Sequence, residues 1–124
     1  MPRALPLVLA LTLATPALAD GDAASGEKVF RKCKACHQVG EGAENRTGPA
    51  LNGIVGKAAG TAEGFDYSSA LQDAAADGLV WDEASLSAYL AKPRDFLKGT
   101  RMSFAGLRKE DDVADVIAFL KTHP

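Results

Sequence analysis

Four stretches of this chain place apolar residues at helical spacing, and long polar segments rich in glycine separate them. The clearest is Lys109 to Thr122, where Val113, Val116, Ile117 and Leu120 fall on one face. Glu110, Asp111 and Asp112 stand at its start, where the helix dipole favours negative charge. Asp82 to Lys92 carries a second stripe, Leu86, Tyr89 and Leu90; Asp82 suits the N-cap and Pro93 stops the helix. Asp22 to Lys32 predicts a short helix with Asp22 as its cap and Val29 with Phe30 on its apolar side. Gly26 within it costs about 1 kcal/mol relative to alanine, so either another helix crosses closely there or the helix tolerates the loss. Phe65 to Ala76 is a weaker, alanine-rich helix closed by Asp77-Gly78.

Between these helices, Val39 to Gly64 is dominated by turn formers, including Gly48-Pro49 and Asn52-Gly53, and Arg94 to Leu107 reads as a second loop. Strand-like alternation is absent, so the expected fold class is all-α. A loop as long as the first is unusual in a compact domain unless it wraps something.

The beginning of the chain has a different character. Arg3 precedes an uncharged apolar run from Ala4, and Ala17-Leu18-Ala19 precedes Asp20. That is the pattern of a secretory signal peptide with an A-x-A cleavage site. The run carries Pro6 and Pro16 and falls short of the about 20 residues a spanning helix needs, which disfavours an uncleaved membrane anchor. The expected organisation is a signal peptide over 1–19, cleaved after Ala19, and one domain over 20–124, with no anchor once the leader is gone.

What the long loop would wrap is named by Cys33-Lys34-Ala35-Cys36-His37. C-x-x-C-H is the attachment signature of c-type haem. Two thiols three residues apart lie on one side of a helical turn and can add across two vinyl groups, and the next residue offers its imidazole to the iron from the same side. A thioredoxin-like redox pair would sit beside a βαβ pattern, which is missing here. A structural zinc site needs four ligands, and the chain has two Cys and two His, with His123 next to its last residue. A plain disulfide would leave His37 unexplained. Export agrees with haem c, which is attached outside the cytoplasmic membrane. Both cysteines are then consumed by one haem per chain.

A six-coordinate iron needs a ligand opposite His37. Of the two methionines, Met1 leaves with the leader. Met102 lies in a loop between Arg101 and Ser103, a poor place for core filler. His123, ending the last helix beside the C-terminus, is the rival and is expected to face solvent.

Charge matters through its layout. The formal net charge is −2. From Ala58 to Ala91 there are Glu63, Asp66, Asp73, Asp77, Asp82 and Glu83 but no Lys or Arg. From Lys92 to Lys109 come Lys92, Arg94, Lys98, Arg101, Arg108 and Lys109 against Asp95 alone. The molecule is therefore expected to be a strong dipole. A net-acidic exported chain is not a nucleic-acid binder.

Together these residues resemble the class I cytochromes c, of the soluble bacterial kind close to mitochondrial cytochrome c. The resemblance runs from Gly26 to Leu120. It rests on Cys33 to His37, Gly48-Pro49, Gly64-Phe65-Asp66-Tyr67, Trp81, Tyr89-Leu90 with Pro93, Gly99-Thr100-Arg101-Met102 and Phe104-Ala105-Gly106. It implies the class I cytochrome c fold, helices and loops around one covalent haem, with His37 and Met102 as axial ligands. Pro49 would accept from the other nitrogen of His37. Tyr67 and Trp81 would donate to one haem propionate, and Thr100 would help hold the other. Tyr89 would sit beside the Met102 sulfur, Phe104 would cover the haem edge, and Gly26 with Phe30 would meet the last helix near Val116 and Phe119. Two departures stand out: Lys57 replaces a common arginine near a propionate, and Leu71 replaces an asparagine of a small water network.

The same resemblance implies a monomeric periplasmic electron carrier rather than an enzyme. It would shuttle single electrons from a quinol-oxidising cytochrome bc complex to a terminal oxidase or a photosynthetic reaction centre. Lys28, Lys32, Lys34, Arg94, Lys98, Arg101, Arg108 and Lys109 would ring the haem edge and steer it to acidic docking surfaces on those membrane complexes. The alternatives are an ordinary solvated surface for these charges, and a haem enzyme or gas-binding protein whose methionine ligand is displaceable.

Overall fold

The computed structural model describes residues 2–6, 10 and 21–124. The expected leader and its cleavage point after Ala19 thus lie largely outside the described residues. Five helices follow one another: α1 (Ala23–Phe30), α2 (Ser69–Ala76), α3 (Glu83–Ala91), α4 (Pro93–Phe96) and α5 (Glu110–Lys121). The β pairing among the described residues is one antiparallel bridge between Ala58 and Val80. None of these helices is long and apolar enough to cross a membrane.

The frame is the crossing of α1 and α5. Gly26 is buried at that crossing, and a β-carbon there would lie 1.9 Å from the Asp115 carbonyl oxygen and 2.8 Å from the Phe119 β-carbon. The glycine is therefore the condition for two helix backbones to approach, not a tolerated defect. Phe30, only 1 % exposed, sits one turn on with its ring centroid 5.2 Å from that of Phe119. Burying such a ring contributes about 1.5–3 kcal/mol. The Asp22 Oδ1 caps α1 by accepting from the Ala24 N–H at 2.9 Å, while the Asp22 N–H donates to Asp115 Oδ1 at 2.8 Å, so α5 also anchors the start of α1. Leu86 of α3 and Val113, Val116, Ile117 and Leu120 of α5 join Phe30 in one core with Trp81 and Leu107. Their spacing is the reason α3 and α5 were legible as helices.

Three boundaries differ from the sequence expectation. The α-helix of α1 ends at Phe30 rather than Lys32, and tighter turns carry the chain on, with the Cys33 N–H donating to the Phe30 carbonyl at 2.8 Å. α2 begins at Ser69 rather than Phe65, because Ser68 Oγ caps the Leu71 N–H and the Phe65 and Tyr67 rings pack edge to face with centroids 4.8 Å apart. The segment after Pro93, read as loop, opens with α4: proline both stops α3 and supplies the first residue of the next helix, where its missing N–H costs nothing. At α3 the expected cap is present, Asp82 Oδ1 accepting from the Ser85 N–H at 2.7 Å. That hydrogen bond, with the one from the Ser85 side chain, holds the Asp82 carboxyl below its ordinary value.

Candidate haem site

The loops enclose a cavity of about 900 Å³, near the upper end of small-ligand sites. Cys33, Cys36 and His37 line it, as do Met102, Thr100 and Phe104, together with the apolar side chains of Leu71, Leu86, Leu90, Trp81, Val116 and Leu120. Cys33 to His37 forms a helical turn closed by the His37 N–H donating to the Cys33 carbonyl at 2.9 Å, so the two thiols and the imidazole reach the cavity from one short segment. Neither thiol is in a disulfide. Burial, with the neighbouring Cys36 adding to it and Lys32 opposing, pushes the Cys33 thiol above its ordinary value. Among the described residues no three Cys, His, Asp or Glu side chains are grouped so that they could hold a metal ion.

The Gly48-Pro49 turn clasps the imidazole. His37 Nδ1 lies 2.7 Å from the Pro49 carbonyl and donates to it, which leaves the Nε2 lone pair free for a metal. Burial lowers the His37 pKa, and the bond to Pro49 opposes this only in part, so the ring stays neutral and able to ligate. Gly48 packs against the ring: a β-carbon there would come within 2.3 Å of His37 Cε1. Turn propensity marks Gly48 in the sequence, but only the fold shows that the imidazole is what it makes room for. Gly48→Ala is expected to displace the ring and cost about 2 kcal/mol by overpacking. Denaturant unfolding, with the imidazole resonances followed in parallel, checks both effects.

On the Met102 side, the Tyr89 hydroxyl and Thr100 Oγ1 are 2.7 Å apart, and Thr100 Oγ1 accepts from the Met102 N–H at 3.3 Å. Burial raises the Tyr89 phenol above its ordinary value, with the Thr100 bond opposing. The two hydroxyls, expected to serve a methionine sulfur and a propionate separately, are thus bonded to each other, and Thr100 alone also holds the backbone of Met102. Tyr89 stacks on Trp81, with centroids 5.0 Å apart, and near Phe96 at 5.9 Å. The Tyr67 hydroxyl accepts from the Ala62 N–H at 2.9 Å, which leaves its own hydrogen to donate elsewhere. Tyr67, Trp81, Lys57 and Leu71 all line the cavity.

His123, the rival ligand, is not among the residues lining the cavity. It is also not fully exposed as expected: its ring meets Phe119 edge to face at 5.0 Å, and its carbonyl accepts from the Gly53 N–H at 2.7 Å. The basic residues Lys28, Lys32, Lys34, Arg94, Lys98, Arg101, Arg108 and Lys109 are all exposed, as are the acids between Glu63 and Glu83. Lys32 and Arg101 also border the cavity.

Two asparagines have roles that the sequence does not show: Asn45, and Asn52, which is marked there only as a turn former. Asn52 both donates to the Gly40 carbonyl and accepts from the Gly40 N–H, at 2.8 and 2.7 Å. Asn45 accepts from the Ala50 N–H and donates to the Glu63 carbonyl, both at 2.9 Å. They pin the long loop that carries Pro49, and no local pattern marks their partners, which lie up to 18 positions away.

The residues present fit a covalently held haem: paired thiols and a neutral, oriented imidazole open on a largely apolar cavity of adequate size. Comparisons agree. The cytochrome c family model matches residues 23–124. Cytochrome c2 of Afifella marina is 50% identical over 99 residues, 80% of each chain. Cytochrome c2 of Rhodomicrobium vannielii is 49% identical over 113 residues, 91% of this chain and 88% of that one. The structure of cytochrome c2 from Rhodospirillum centenum superposes with a TM-score of 0.79 at 42% identity, covering 83% of this chain and 98% of that one. The chain belongs to the cytochrome c family and is a mono-haem electron carrier, with haem c attached through Cys33 and Cys36.

Proposed function

We propose that this protein works in the periplasm, carrying single electrons from a quinol-oxidising cytochrome bc complex to a terminal oxidase or a photosynthetic reaction centre, with iron held between His37 and Met102. The observation that carries the ligand assignment is that Met102 lines the same cavity as His37 while His123 does not. Bound haem supplies a one-electron couple whose potential rises with His/Met ligation. The chain's own part is to orient the imidazole through Pro49, to fix the Met102 backbone through Thr100, and to keep water from the interior with Leu86, Leu90, Val116 and Leu120.

Rapid mixing of the reduced protein with an isolated oxidase or reaction centre tests the role. Second-order oxidation that slows with rising salt supports it, and no oxidation by either class of acceptor overturns it. The docking ring has its own expected result. Lys32→Glu combined with Lys34→Glu slows the reaction about tenfold at low ionic strength, and the difference shrinks as salt screens the encounter. An unchanged rate at low salt removes these lysines from the docking surface.

A further inference from the structure

His123 stands outside the cavity, yet it lies at the far end of a line of hydrogen bonds that starts at the imidazole of His37. Two stretches of chain, 37–40 and 49–53, are joined along that line. His37 Nδ1 donates to the Pro49 carbonyl at 2.7 Å, the Leu51 N–H donates to the Gln38 carbonyl at 3.0 Å, and Asn52 bonds both backbone groups of Gly40. The next donor in order, the Gly53 N–H, goes to the His123 carbonyl at 2.7 Å. The turn that finishes α5 aims this carbonyl: the Thr122 N–H and Oγ1 donate to the Phe119 carbonyl, and the His123 N–H donates to that of Leu120. The half-buried His123 ring meets Phe119 edge to face and comes close to Gly40, where a β-carbon would stand 4.0 Å from His123 Nδ1. Phe119 in turn packs on Phe30, so the ring is seated on the crossing of α1 and α5.

We propose that His123 is a positioning residue for the imidazole of His37: seated on Phe119, it closes the joined stretches 37–40 and 49–53 and so holds the Pro49 carbonyl against His37 Nδ1. This rests on His37 ligating the iron and is independent of which residue ligates on the other side. The bond from Nδ1 sets how the ring is turned and how strongly it donates to a metal. Gly53 is exposed, and neither it nor Gly40 has a side chain to shield these bonds. Local opening therefore starts at this end unless a packed group covers it, and the His123 ring is that group.

The test uses the haem-bearing protein as wild type, His123→Ala, His123→Phe and Asp82→Ala. The last removes the cap of α3 and lowers global stability without touching the joined stretches. Exchange of the His37 Nδ1 proton is followed by NMR in the ferrous protein, and the shifted imidazole resonances are recorded in the ferric protein. His123→Ala is expected to exchange that proton about threefold to tenfold faster, the size of one aromatic edge contact, and to move the ferric imidazole resonances. His123→Phe keeps the edge contact and should return exchange to the wild-type rate. Asp82→Ala should match wild type in both readouts. Unchanged exchange and resonances in His123→Ala would overturn the positioning role, and so would no recovery in His123→Phe. Equal acceleration in Asp82→Ala would also overturn it, by making the effect one of global stability. A ferric wild type without shifted imidazole resonances would instead defeat the ligand reading, and the exchange rates would still decide whether His123 closes the two stretches.

Discussion

Met102→Ala, matured with its haem, should lose the far-red iron–thioether band and bind carbon monoxide when reduced. Its reduction potential should fall by an amount on the order of 0.1–0.3 V, within the ~0.8 V range that axial ligands span. The thioether is a weak donor that favours ferrous over ferric iron, so removing it stabilises the oxidised state. The prediction is sharp because the chain has two methionines and the other is Met1; with Cys33 and Cys36 taken up in haem attachment, no second methionine in the domain over 21–124 can take over. Visible spectroscopy and potentiometry on the purified variant decide it. An unaltered band and potential would place the sixth ligand elsewhere. The same opened site would admit peroxide or small gases, which separates the carrier from an enzyme by one side chain.

Gly26→Ala is the largest expected change in stability, and its sign is informative. Helix propensity alone predicts a gain of about 1 kcal/mol. The crossing predicts the reverse, since the new β-carbon would fall 1.9 Å from one backbone atom of α5 and 2.5 Å from another. Backbone in the middle of a helix cannot step aside as a side-chain tip can. α1 and α5 would have to part, loosening the Phe30–Phe119 contact and the seat of Val116. A loss of about 2–4 kcal/mol is expected, lowering the thermal midpoint by roughly 10–20 °C in a domain of this size. Denaturant and thermal unfolding of the haem-bearing protein measure it. A variant as stable as wild type would mean that the helices do not touch at Gly26.

The two effects are connected through the frame. α1 runs straight into the Cys33–His37 turn, and α5 supplies Val116 and Leu120 to the cavity wall. A crossing that slips moves the attachment turn relative to that wall, so Gly26→Ala should also broaden the haem environment before the protein unfolds.

The sequence by itself determined what short-range chemistry determines. Cys33, Cys36 and His37 are bound together by covalent spacing, and their joint role follows without tertiary information. The stripes Leu86–Leu90 and Val113–Leu120 are set by the helical period, and the caps at Asp22 and Asp82 act across three residues. Segregation of charge between 58–91 and 92–109 is likewise a property of chain order. Tertiary structure decided everything that depends on partners far apart in the chain. It showed which surface Gly26 meets, that Gly48 faces an imidazole, that the Tyr89 hydroxyl bonds Thr100, and that Asn45 bonds the Glu63 carbonyl. It also made Pro93–Phe96 a single helical turn at the head of the second loop and delayed α2 to Ser69. The reason is physical: a helix is specified by contacts three and four residues apart, whereas a loop's conformation is fixed by hydrogen bonds to whatever the fold places beside it.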